Sequence, residues 1–172
     1  MARPIPRVPP VTIAVCIPPI VAYDGSVVSE FVAHTEIAAP IDRVFGFHEQ
    51  SDALERLSPT FPPLRVLARS GGIEVGGRVS LRIGGLVRWD ALHTALERPV
   101  LFVDEQQRGP FARWVHRHEF EDIDGHRTRL TDRITYELPG GRIINTLLAP
   151  FVRLGLARMF AHRHQVTRRA CE

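Results

Sequence analysis

The sequence lacks the motifs of several large enzyme classes. Its only cysteines, Cys16 and Cys171, lie near opposite ends and belong to no CxxC pair or Cys/His cluster, which argues against a structural zinc site. No GxSxG elbow occurs, so nucleophilic catalysis by a serine or cysteine has little support. No GxGxxG follows a predicted strand and no P-loop is present, so the usual phosphate-binding signatures are missing.

Long apolar runs are also absent. The only candidate that the sequence suggests for membrane insertion, residues 11–21, is too short to span a bilayer and contains Pro18 and Pro19. No convincing small-residue cleavage site accompanies it, so it makes a poor signal peptide. We therefore expect a soluble, cytoplasmic protein without a stable membrane insertion.

The composition is that of one globular domain. The 172 residues are 44% hydrophobic, which is enough for a buried core. The formal net charge is +3, but the basic residues are scattered, so no nucleic-acid-binding stripe is indicated. Six of the 14 prolines fall within the first 19 residues and exclude a helix there. We divide the chain into an extended arm (residues 1–28), a domain (29–168) and a tail (169–172).

Hydrophobic periodicity assigns most of the domain to strands. Polar and apolar residues alternate along residues 78–83, as is typical of a half-buried strand. Gly84-Gly85 and Asp124-Gly125 are hairpin signals, and short connections indicate antiparallel pairing. Strands are predicted over residues 31–38, 64–69, 78–83, 86–96, 100–108, 111–122 and 127–138, with short helices over 41–48 and 52–57 and a long helix over 142–168.

This order of elements predicts an α+β fold. A twisted antiparallel sheet with one apolar face needs a cover, and the C-terminal helix is the only predicted element long enough to supply it. The two short helices after the first strand hold one end of the sheet and helix apart. We therefore expect a cavity between the curved sheet and the long helix.

Two neighbouring strands carry the candidate catalytic residues. Trp114, His116, His118 and Phe120 alternate along one strand and share one face. Asp132 lies on the next strand, and the turn at Asp124-Gly125 places the two faces side by side. A His–Asp pair of this kind could perform general acid–base catalysis or hydrogen-bond a ligand, and it could equally be a buried structural ion pair.

The same histidines raise the question of a metal site. A His-x-His pair on a strand can chelate iron or zinc when a carboxylate and a later histidine follow at suitable positions. Glu121 and Asp122 do not match that pattern, and no later histidine lies in a suitable strand. We therefore predict no bound metal.

Four segments resemble a known superfamily. They read IAAPIDRVFGF, VDEQQRGPFARWVHRHEFE, TRLTDRITYELP and ARMFAHRHQ. With the order of elements, they resemble the START-like, or SRPBCC, superfamily with its helix-grip fold, and in particular its bacterial polyketide cyclase/dehydrase-like members. The resemblance covers about residues 29–168. It implies a deep cavity for an apolar or amphipathic small molecule but leaves the activity open, because the superfamily includes both carriers and enzymes.

Ten residues are candidates for contact with such a ligand. The sequence does not decide whether Glu105 or its neighbour Asp104 points inward, and it favours an exposed His164. The candidates are Trp89, Phe111, Trp114, Phe120, Tyr136 and Phe151 for the apolar wall, and His48, Glu105, Arg108 and His162 for polar contacts.

Three functions stay open at this point. The leading one is binding of a hydrophobic or polyketide-like small molecule. The second is a polyketide cyclase, aromatase or dehydratase that uses His116, His118 and Asp132 and needs no cofactor. The third is a partner-binding role for the proline-rich arm, and a homodimer is compatible with each of them.

Overall fold

Eight strands form one antiparallel sheet in a computed structural model that describes residues 21–23 and 26–172. The sheet order is β1-β2-β8-β7-β6-β5-β4-β3. Most of the predicted N-terminal arm, with Cys16, lies outside the described residues. The strands are β1 (Val21–Tyr23), β2 (Ser26–Ile37), β3 (Leu64–Ser70), β4 (Arg78–Ile83), β5 (Val87–Glu97), β6 (Leu101–Arg108), β7 (Arg113–Asp122) and β8 (Thr128–Glu137).

The strands from β3 to β8 form the predicted meander. Each pairs with the next in an antiparallel register, and β8 closes the series by pairing with β2. Gly84 and Gly85 both have positive φ angles, 60° and 76°, and together with Leu86 they form the three-residue turn between β4 and β5. The predicted antiparallel sheet with a long C-terminal helix is confirmed.

Two short helices connect β2 to β3, as the sequence predicts. Helix α1 (Ile41–His48) begins directly after Pro40, whose fixed φ suits the start of a helix. It buries Val44, Phe45 and Phe47 against the sheet. Helix α2 (Ala53–Leu57) follows, with Asp52 at its N-terminal cap position.

Helix α3 (Gly141–Cys171) is the cover of the sheet. Its buried face follows a helical spacing through Leu156, Phe160, His164 and Thr167. Phe160 packs on Phe31 of β2 with ring centroids 5.8 Å apart. By length and composition α3 could also cross a membrane, a test that core helices of soluble proteins pass as well.

The N-terminal half of α3 corrects one predicted wall residue. Phe151 is 72% exposed and points away from the sheet, so the prediction that it lines the cavity is wrong. Apolar side chains surround this half of the helix, and periodicity therefore could not identify the inward face. The other exposed apolar residues there are Ile143, Ile144, Leu147, Leu148 and Leu154.

Two separate apolar clusters make up the core. One surrounds α1 and contains Phe45, Phe102 and Phe120. The other lies under α3 and contains Phe31, Ile134, Tyr136 and Phe160. Phe120 and Tyr136 are thus packed core residues and not part of the cavity wall, contrary to the prediction, because other aromatic rings cover them.

Asn145 connects the start of α3 to the end of β8. Its Oδ1 accepts a hydrogen bond from the Leu138 N–H at 2.7 Å. Its Nδ2 donates to the carbonyls of Leu138 and Gly141, at 2.9 and 2.8 Å. The side chain is almost fully buried, so it replaces hydrogen bonds that the turn backbone would otherwise make to water.

We predict that Asn145→Ala lowers the free energy of unfolding by about 2 kcal/mol, because buried backbone groups lose their partner. Urea unfolding at neutral pH measures the change. Gln165→Ala, at an exposed position of the same helix, is the matched control and should change stability by less than about 0.5 kcal/mol. Equal stability of the two variants would contradict this role of Asn145.

Candidate functional site

A cavity of about 860 Å³ lies between the sheet and helices α2 and α3. Side chains from β4 to β7 form its floor, and Leu156 and Met159 of α3 form part of its roof. Most of the wall is apolar. Cavities of this size and character are typical of small-molecule binding sites.

Three aromatic side chains form one corner of the cavity wall. Trp89 and Trp114 meet edge to face with ring centroids 5.1 Å apart, and Phe111 packs within 5.9 Å of Trp89 and 4.8 Å of Trp114. All three side chains line the cavity, as predicted from the sequence. The corner offers flat apolar surfaces to a ring or a planar chain.

A buried polar cluster occupies the wall on β6, β7 and β8. The strand register places Asp104 opposite His116, and His118 opposite Asp132. These four side chains therefore point to the same face of the sheet. His116, His118 and Asp132, predicted together from the sequence, are together in the structure.

Asp132 is surrounded by three imidazoles. Its Oδ1 lies 2.9 Å from Nε2 of His116 and 2.8 Å from Nδ1 of His118. Its Oδ2 accepts a hydrogen bond from Nε2 of His164 at 2.7 Å. The approach of His118 is too sharply angled for a hydrogen bond, whereas the His116 contact is well aligned. The carboxylate is 3% exposed, so imidazoles replace its hydration.

Asp104 lies on the other side of the same two imidazoles. Its Oδ1 is 3.3 Å from Nδ1 of His116 and 3.5 Å from Nε2 of His118. The ring centroids of His116 and His118 are themselves only 3.8 Å apart. Each imidazole therefore has one nitrogen toward Asp132 and the other toward Asp104, which lines the cavity.

The two carboxylates determine the charge of His116. Burial acts to lower the pKa of His116, but the neighbouring Asp104 and Asp132 outweigh burial and raise it to about 9. Burial acts to raise the pKa of each aspartate, and the imidazoles outweigh it and hold both well below the ordinary range. At neutral pH His116 is an imidazolium between two carboxylates.

His48 behaves in the opposite way. Burial, and then the nearby His118, lower its pKa to about 4, so it is neutral at physiological pH. Its Nδ1 donates a hydrogen bond to the Val44 carbonyl at 2.9 Å. His48 lines the cavity, as predicted, and keeps Nε2 as an acceptor.

The structure separates two predicted polar residues from the cavity. Glu105 points to the opposite face of β6, where it accepts a hydrogen bond from Thr94 Oγ1 at 3.1 Å. Arg108 is exposed beyond the cavity wall. Both predictions are wrong, for different reasons. Asp104, and not Glu105, is in the inward register of β6. Arg108 shares the register of Asp104 but lies at the exposed end of the strand.

The two histidines of α3 are exchanged relative to the prediction. His162 is half-buried and does not line the cavity, and its Nε2 has no hydrogen-bond partner among the described residues. His164, expected to be exposed, is fully buried against Asp132. The face of α3 that packs on the sheet contains Phe160 and, one helical turn later, His164. Spacing from Phe160, instead of from Met159, would have identified it.

Arg163 and His93 were not predicted from the sequence. Both line the cavity near Asp104. Burial lowers the pKa of Arg163, although Asp132 and Asp104 oppose the shift. Burial likewise lowers the pKa of His93. No local motif marks these positions, because their role comes from the tertiary arrangement.

Comparisons with known proteins agree with this architecture. Residues 37–162 match the model of the family described as polyketide cyclase / dehydrase and lipid transport. No curated protein matches the chain. The fold is similar to that of the protein TTHA0849 from Thermus thermophilus, at 22% identity over 82% of this chain and 95% of that one, with a TM-score of 0.64.

Two further solved structures show the same fold. A START superfamily protein from Mycobacterium smegmatis is 16% identical over 81% of this chain and 94% of its own, with a TM-score of 0.60. Norcoclaurine synthase from Thalictrum flavum, in complex with dopamine and hydroxybenzaldehyde, is 13% identical over 83% of this chain and 86% of its own, with a TM-score of 0.63.

We predict that His48 makes the protein less stable in acid. The unfolded chain binds a proton at His48 near pH 6.5, whereas the folded chain does so only near pH 4. Stability is therefore lost as the pH falls through this window, by roughly 3 kcal/mol from this group. Asp132 partly opposes the shift, and Arg163 and His118 reinforce it.

Urea unfolding of the wild type and His48→Phe between pH 4 and 8 measures this contribution. The difference in unfolding free energy should be constant from pH 7 to 8, which serves as the internal control. Below pH 6.5 the wild type should lose stability faster than His48→Phe. Parallel curves over the whole range would contradict a neutral, buried His48.

Proposed function

Because the chain belongs to the polyketide cyclase / dehydrase and lipid transport family, we propose that it binds a hydrophobic or polyketide-like small molecule. The proposed binding site is the cavity between the sheet and α3. The observation that supports this proposal most directly is the cavity itself, which has a volume of about 860 Å³ and an apolar wall with one buried polar cluster. Apolar walls supply affinity for such ligands, and a few fixed polar groups orient them.

The aromatic corner and the polar cluster together favour a ligand with both a flat apolar part and an oxygen atom. Trp89, Phe111 and Trp114 would contact a ring or a planar conjugated chain. His116 would donate a hydrogen bond to a carbonyl or hydroxyl oxygen at the polar end. The fold relative norcoclaurine synthase was solved with dopamine and hydroxybenzaldehyde, which are ligands of this chemical type.

We predict that filling the cavity abolishes binding of an apolar probe. Ala91 is a buried residue of β5 on the cavity wall, so Ala91→Trp would place an indole inside. The fluorescent dye 1-anilinonaphthalene-8-sulfonate is the probe. Its affinity for Ala91→Trp should fall at least about 10-fold, which corresponds to about 1.4 kcal/mol, because the added indole occupies space that the dye would fill.

Arg88→Trp is the matched control for this experiment. Arg88 lies on the same strand, but its side chain is exposed to solvent. The added indole should therefore leave the affinity of the cavity for the dye unchanged.

A thermal-shift screen of the wild type and both variants with single-ring phenols and β-polyketones tests candidate ligands. If no compound stabilises the wild type, or if Ala91→Trp binds the dye normally, the cavity is not the binding site.

A second function is favoured by the charged cluster itself. Both His116 and His118 line the cavity. The imidazolium of His116 could donate a proton to a ligand carbonyl oxygen while His118 accepts a proton from the carbon next to that carbonyl. This pair of transfers is an enolisation, which is the first step of an aldol cyclisation or a dehydration. Asp132 would orient both rings. The protein would then be a cyclase or dehydratase that acts in the same cavity.

We predict that His116→Gln separates the two functions. Cyclisation of a β-polyketone thioester, followed by absorbance of the aromatic product, should slow by roughly 100-fold or more if His116 transfers a proton. Dye binding to the cavity should remain, and His126→Gln at an exposed turn is the control. If the wild type does not accelerate the reaction, or if His116→Gln keeps the full rate, the catalytic alternative fails and the binding proposal stands.

A further inference from the structure

Three side chains on the cavity wall each direct one ligand atom toward a common point. They are Asp104 Oδ1, His116 Nδ1 and His118 Nε2. The oxygen lies 3.3 Å from the first nitrogen and 3.5 Å from the second, and all three atoms are within 4.8 Å of one another. Nothing in the binding of an apolar ligand requires this convergence.

These distances suit a metal ion better than they suit hydrogen bonds. Zinc binds histidine nitrogen and carboxylate oxygen at about 2.0–2.2 Å, so two ligand atoms of a tetrahedral site lie roughly 3.3–3.6 Å apart. The two distances from Asp104 fall in this range. They are long for charge-assisted hydrogen bonds, which are about 2.7–2.9 Å.

The ring nitrogens that point away from the proposed metal position also have the partner that metal sites usually provide. A ligating histidine usually donates its second ring N–H to a carboxylate, which fixes the tautomer and directs the free lone pair at the metal. Asp132 Oδ1 takes this position toward both rings, 2.9 Å from His116 Nε2 and 2.8 Å from His118 Nδ1. A small rotation of the His118 ring would align the second bond. His164 holds Asp132 from the opposite side.

Spacing along the chain provides no reason to expect this site. The His-x-His pair has no carboxylate at a suitable position in its own strand. The missing ligand comes from the adjacent strand β6, where the register pairs Asp104 directly with His116. Two histidines and one carboxylate on one face of a site are a set that binds zinc or ferrous iron and leaves other positions open.

We propose that Asp104, His116 and His118 bind one divalent transition-metal ion, zinc or iron(II), with its open positions facing the cavity. Asp132 is the positioning residue for both imidazoles. The metal would present a Lewis acid to a carbonyl or hydroxyl oxygen of the bound molecule. This inference does not depend on which ligand the cavity holds, so loss of dye binding and loss of metal binding are separate results.

Titration of untagged, chelator-treated protein with Co²⁺ and Zn²⁺ tests the proposal. We expect one Co²⁺ per chain with the intense visible absorption of a low-symmetry tetrahedral site, its displacement by Zn²⁺, and a metal-dependent rise in Tm. Anaerobic competition with Fe²⁺ shows which of the two metals the site prefers. Circular dichroism before and after chelation checks that the apoprotein remains folded.

Substitutions on β6 supply the matched comparison. Asp104→Asn removes a ligand and should abolish the Co²⁺ spectrum, whereas Glu105→Gln, one residue away on the opposite face, should keep it. Asp132→Asn should weaken affinity by about 10- to 100-fold and keep the stoichiometry. If Asp104→Asn proves unfolded, His118→Gln takes its place. Substoichiometric binding of Co²⁺, or the same Co²⁺ affinity in Asp104→Asn as in the wild type, would overturn the proposal. The cluster would then be an ion-pair network in which protonated His116 lies between Asp104 and Asp132.

Discussion

The buried carboxylate of Asp132 is the constraint on which the rest of the structure depends. It lies on the inward face of β8 between Leu130 and Ile134, where an ion without partners would be strongly destabilising. Three imidazoles surround it, two from β7 and one from α3, and its hydrogen bonds come from His116 and His164. The helix is therefore held over the sheet by a directed polar contact as well as by apolar packing, which by itself would tolerate small shifts of position.

This constraint also explains why the cavity has a polar end. The apolar clusters around α1 and under α3 are separate, and the polar cluster contacts both of them: His118 stacks on Phe102 of the first, and His116 packs against Phe160 of the second. The cavity therefore offers an apolar surface directly beside charged side chains, and those side chains need polar partners. The ligand's oxygen atoms can replace the water that such groups would otherwise hold, which is how a small number of polar residues gives a hydrophobic pocket its specificity.

Most of the fold could be predicted from the sequence, but the cavity-facing residues of two elements could not. Period-two alternation placed His116, His118 and Asp132 on adjoining faces, and α1 begins and ends where predicted. The inward face of β6 could not be predicted, because a shift of one residue in the pairing of β6 with β7 reverses the face of the strand, and only the observed register places Asp104 opposite His116. On α3, apolar residues on all sides concealed the inward stripe that contains His164.

The charges of the cluster can be balanced in two ways, by a proton on His116 or by a bound metal ion. Asp104 and Asp132 carry two negative charges, and Arg163 with protonated His116 supplies two positive ones. A divalent cation would replace the His116 proton and neutralise both carboxylates without Arg163. That guanidinium lines the cavity, and its Nε has no hydrogen-bond partner in the part of the chain that the structure describes. With a metal bound, Arg163 would be free to pair with a carboxylate or enolate of the ligand.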